Sequence, residues 1–109
     1  MKCIINDQVV LLRAPEGPVA VYLASFSNWA SEQGYALCSL RRRIRIAAGF
    51  SRWLAENAVP LRGVSSGHCA QYLRYRARRL RIREGDATAL RQLLDFLRHQ
   101  GAILSLIHI

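Results

Sequence analysis

Lysine is almost missing from this sequence. Of its 16 basic residues only Lys2 is not arginine. Acidic residues are few as well, seven in all, which leaves a formal charge of +9. Cysteine occurs three times, at Cys3, Cys38 and Cys69, odd in number, far apart and without a CxxC pair. Together with His68, His99 and His108 these give no metal-ligand spacing, so we expect no metal site and no disulfide framework. Free thiols suit a reducing, cytoplasmic setting. Long hydrophobic runs are lacking too. Asn6, Asp7 and Gln8 interrupt the apolar start, which excludes a signal peptide or a membrane span there. There are no internal repeats or low-complexity tracts. Half of the 109 residues are hydrophobic, enough for one small packed domain and against disorder.

What is present is unevenly placed. Residues 1–35 carry a net charge of −1, whereas residues 36–98 hold fourteen Arg against Glu56, Glu84, Asp86 and Asp95, or +10. A local excess of this size points to an acidic partner, foremost nucleic acid. An anionic membrane surface is the weaker alternative, because a basic helix there needs an exposed apolar face and the core claims that face here.

The central stretch is Leu37–Glu56, LCSLRRRIRIAAGFSRWLAE. At 100° per residue Leu40, Ile44, Ala47, Phe50 and Leu54 share one arc, while Arg41, Arg45 and Arg52 share the opposite one with Arg42 beside them. Guanidinium is planar, always charged and forked, which suits phosphate oxygens and the edge of guanine. A merely solvated charged face is the competing explanation.

Around this helix three others are predicted. The first starts at Pro18 and stops at Gly34, with Val19, Tyr22, Leu23, Phe26, Trp29 and Ala30 inward and no basic residue. Cys38 or Ser39 is the expected cap of the second, and Pro60 prevents its continuation past Glu56-Asn57. The third opens at Ser65-Ser66, runs to about Arg79 and turns Cys69, Tyr72, Leu73 and the stem of Arg76 inward. From Arg74 to Arg83 six of ten residues are Arg: 74, 76, 78, 79, 81 and 83. Such a run repels itself and is better explained by phosphates that neutralise it. The fourth takes Asp86 as N-cap and ends at Gly101. Leu90, Leu93, Leu94 and Leu97 form its seam, Phe96 lies at the edge, and Arg91 and Arg98 point away. Before these helices, residues 1–17 read as an arm in which Val9–Leu12 forms a small strand or lies over the core. After them, residues 104–109 (LSLIHI) are an uncharged tail: a short strand, a docking segment, or the translation of a sequencing adapter and so non-native. The sum is an all-α domain of four helices spanning residues 18–103.

The order of these signals resembles a known family. Tyr22-Leu23 with Phe26 and Trp29, the Gly34 turn, Leu37, Leu40 and Ile44 leading to Phe50 and Trp53-Leu54, then Val64-Ser65, Tyr72-Leu73 and GDATALRQLLDFLRHQGAI are similar to the N-terminal SAM-like, core-binding domain of tyrosine recombinases, the phage and transposon integrases. The resemblance covers about Val19–Ile103 and rests on hydrophobic pattern. It implies a SAM-like four-helix bundle that clamps double-stranded DNA, its second and fourth helices near the major groove. The DNA-contact candidates are therefore Arg41, Arg42, Arg45, Arg52, Arg91 and Arg98, with Arg78, Arg79, Arg81 and Arg83 on flanking phosphates. The resemblance also implies a parent protein that assembles with other protomers on DNA, in the bacterial cytoplasm at the nucleoid. Alone, the domain is expected to be a monomer.

The family's chemistry needs a nucleophilic Tyr, phosphate-holding arginines and a His-x-x-Arg motif. Here His68 precedes Cys-Ala-Gln and His99 precedes Gln-Gly-Ala. None of Tyr22, Tyr35, Tyr72 and Tyr75 has an activating cluster around it. We therefore expect no catalytic residue, no cofactor and no small-molecule substrate. A stand-alone basic nucleic-acid-binding protein and a helical protein-interaction module remain the alternatives.

Overall fold

The computed structural model describes residues 3–5, 8–11, 16–35, 37–78 and 85–101. Within them the chain forms an all-α bundle of four helices: α1 (Leu23–Glu32), α2 (Leu37–Glu56), α3 (Ser66–Ala77) and α4 (Asp86–His99). A two-stranded antiparallel hairpin precedes it, β1 (Cys3–Ile5) against β2 (Gln8–Leu11), with an irregular register between Cys3 and Ile4. The expected strand in the arm is thus one half of a hairpin, and β2 also lies against α2.

Helix α2 is the hub, in contact with α1, α3 and α4. Leu40, Ile44, Ala47, Phe50 and Leu54 are all buried, and Ile46 and Trp53 widen that face. On α4 the seam of Leu90, Leu93, Leu94 and Leu97 closes the core. Two aromatic clusters fill its ends. Phe26, Trp29 and Phe96 join α1 to α4 with centroids 5.6–6.0 Å apart. Phe50, Trp53 and Tyr72 join α2 to α3 at 5.4–6.1 Å. Separations of this kind suit offset and tilted ring packing. Phe96 is therefore buried rather than marginal, because α1 supplies two rings that a wheel of α4 alone does not show.

The start of the first helix differs from the expected Pro18. The Val19 N–H donates to the buried Ser51 Oγ (3.1 Å), and that hydroxyl donates to the Glu16 carbonyl (2.5 Å). The chain then makes a 3₁₀ turn, Ala20–Tyr22, before α1 begins. Gly17 has φ +94° beside this anchor, and a Cβ there would collide with the Ser51 carbonyl. Only glycine fits both the backbone angle and the space.

Two expected caps are corrected. Helix α2 already begins at Leu37, so Ser39 lies inside its first turn, where its hydroxyl accepts from Arg43 Nη1. Helix α4 has Gly85 as N-cap, and Asp86 is its first helical residue. Arg76 Nε lies 3.7 Å from Asp86 Oδ2, and the carboxylate is 4% exposed. Asp86 therefore lies one residue past the cap, buried near Arg76, and a carboxylate in the first turn still suits the helix N-terminus. Helix α3 keeps its expected start: the Ser65 N–H donates to His68 Nδ1 at 3.1 Å. It ends at Ala77, two residues before the expected Arg79.

Candidate nucleic-acid interface

Of the ten DNA-contact candidates, seven lie among the described residues. Arg42, Arg45 and Arg52 on α2, Arg78 just after α3 and Arg91 on α4 are exposed, and Arg41 is half-buried. Arg41 and Arg52 lie eleven residues apart, about 16 Å along the axis at 1.5 Å per residue. Arg98 is placed otherwise than its wheel position suggests. Its side chain is 14% exposed, its Nη1 lies 3.3 Å from Asp95 Oδ1, and its Nε is buried. Arg79, Arg81 and Arg83 lie outside the described residues.

Between α2 and the start of α4 is an open cleft of about 440 Å³, lined by Ser39, Arg42, Arg43, Gly85, Asp86, Thr88 and Ala89. Arg42 is brought to this helix terminus. A Cβ at Gly85 would stand only 2.9 Å from Arg42 Nη2, so glycine leaves the guanidinium its place.

Arg43 is the residue that charge patterning overlooked. Its Cζ lies 3.9 Å from the centroid of the Tyr35 ring, and its Nε donates to Gln92 Oε1 at 2.8 Å. Gln92 Nε2 in turn donates to the Tyr35 hydroxyl at 2.5 Å. At 100° per residue Arg43 falls within the apolar arc of α2, between the directions of Phe50 and Ala47. An arginine on the inward side is a readable signal for an engaged guanidinium.

Tyr35 closes the contact with Arg43 and Gln92, and the Tyr72 hydroxyl accepts from Arg76 Nη1 at 3.4 Å. Burial pushes the Tyr72 phenol above its ordinary range against the opposing pull of Arg76, a poor setting for a nucleophile. Burial likewise pushes the Cys69 thiol up to about 11, with Arg98 pulling the other way. Among the described residues no helix is long and apolar enough to cross a membrane.

Over 103 residues, 94% of this chain, the sequence is 44% identical to a Sinorhizobium fredii (strain NBRC 101917 / NGR234) protein named "Putative integrase/recombinase y4rA". The similarity supports the integrase family. The chain spans 25% of that integrase/recombinase relative's length. No protein-family model and no solved structure matches.

Proposed function

We propose that this chain is the DNA-binding module of a site-specific tyrosine recombinase or integrase, with residues 18–103 as a SAM-like core-binding domain. The observation that carries this reading is the 44% identity over nearly the whole chain to the integrase/recombinase relative. The exposed Arg42, Arg45, Arg52, Arg78 and Arg91 support it, since a fork of donors held in water is available to phosphate. In this reading Arg41, Arg42, Arg45 and Arg52 of α2 and Arg91 and Arg98 of α4 hold duplex DNA. Arg78, Arg79, Arg81 and Arg83 take flanking phosphates. Most of these contacts fix register on the backbone, and few read bases. Strand exchange belongs to another part of the parent protein, which works with further protomers on DNA.

The test is fluorescence anisotropy of a labelled duplex titrated with the chain between 50 and 200 mM salt. Each phosphate neutralised contributes about −0.9 to the slope of log K against log salt, so five to ten contacts give about −5 to −9. Micromolar or tighter binding with that slope is the expected result. Absence of binding, or binding indifferent to salt, overturns the reading and favours a protein partner.

A further inference from the structure

Helical periodicity assigns Arg41, Arg42, Arg45 and Arg52 to the outer side of α2 and leaves Arg43 without a role, and the structure gives it one. Three segments meet at its guanidinium: the turn before α2 through the Tyr35 ring, α2 itself through Ser39, and α4 through Gln92. The amide of Gln92 is used at both ends, its oxygen accepting from Arg43 and its nitrogen donating to Tyr35. Such a closed ring of contacts leaves the Arg43 fork little freedom to seek another anion. Its two polar members on the helices are flanked in sequence by Arg42 and Arg91, both exposed.

We infer that Arg43 and Gln92 are positioning residues that lock the first turns of α2 to α4, so that Arg42 and Arg91 are held in fixed relation, and that Arg43 itself touches no phosphate. The DNA-binding consequence rests on the reading under Proposed function; the lock does not. Lysine cannot replace Arg43, because an ammonium lacks both the planar face that stacks on Tyr35 and the fork that reaches Gln92 and Ser39 together. Alanine at Gln92 opens the ring without altering any charge.

The experiment compares the unmodified chain with Gln92→Ala and Arg43→Lys by backbone amide hydrogen exchange and by the duplex titration. Exchange is expected to rise in residues 39–45 and around Gln92 in α4 in both variants, while the Phe50–Leu54 segment keeps its protection. DNA affinity is expected to fall about threefold to thirtyfold in both, with the salt slope unchanged, and to fall no further in the double variant. Unchanged exchange at residues 39–45, or a uniform rise across all helices, overturns the lock. Gln92→Ala binding DNA as tightly as the unmodified chain or more tightly, as a freed phosphate contact would, overturns the positioning role. An Arg43→Ala slope lower by about 0.9 does the same. If the unmodified chain binds no DNA, the reading under Proposed function fails, and the exchange data alone decide the lock.

Discussion

Ser51→Ala tests how the entrance to the bundle is held. The hydroxyl lies on a fully buried residue and serves two backbone groups at once, the Val19 N–H and the Glu16 carbonyl. Val19 is fully buried, so its N–H finds no water when the hydroxyl is removed. An unsatisfied buried donor of this kind costs about 1–3 kcal/mol. Glu16 is exposed, so water replaces the lost donor to its carbonyl and the net loss there is about 0.5–1 kcal/mol. The total is about 1.5–4 kcal/mol, a large part of the 5–15 kcal/mol that holds a domain folded. With a urea m-value of about 1.5 kcal/mol/M, the unfolding midpoint falls by about 1–2.7 M while m stays constant. Circular dichroism at 222 nm against urea measures it. A shift below about 0.3 M, the range of an ordinary surface substitution, would refute the assignment of Ser51 as the anchor of the chain entering α1.

Four further outcomes are expected. Arg45→Ala and Arg52→Ala each lower the DNA-binding salt slope by about 0.9, with thermal stability unchanged to within about 0.5 kcal/mol; a fall in melting temperature instead would make these exposed side chains structural. Leu93→Ala, at a fully buried position in the α4 seam, costs about 2–5 kcal/mol in the same urea titration. Ala58 sits after α2 with φ 56°, a left-handed conformation that glycine adopts without strain, so Ala58→Gly raises stability by about 0.5–1 kcal/mol. Cys69 has its thiol pushed up to about 11 by burial, so the folded chain resists iodoacetamide at pH 8 and reacts once unfolded in urea. The folded state holds this proton more tightly than the unfolded chain, so the contribution is intact below pH 9 and is lost as pH rises from 9 to about 11.

Helix positions and the core were legible because each depends on local repetition. The apolar arc of Leu40, Ile44, Ala47, Phe50 and Leu54 recurs at helical spacing whatever it packs against, and Gly34 and Gly101 stop helices through their own positive φ. The exposed faces of Arg45, Arg52 and Arg91 follow from the same periodicity. Several side chains could not be placed in this way. Asp86 is a good cap by type, but it is the first helical residue, buried near Arg76, ten residues earlier. Arg98 faces away from its own leucine seam, yet it is only 14% exposed and pairs with Asp95. Phe96 is at an edge until Phe26 and Trp29 meet it. Arg43 falls on the inward arc of α2, but its partners, Tyr35 and Gln92, the latter 49 residues away, cannot be read from that position. Periodicity and charge excess are properties of one segment, and the sequence by itself determined them: four helices, their buried arcs and a basic half. Which arginine is engaged inside the fold, and by which partner, is a relation between segments. Only the tertiary structure decided it, because a guanidinium's partner is set by what packing brings within hydrogen-bond reach.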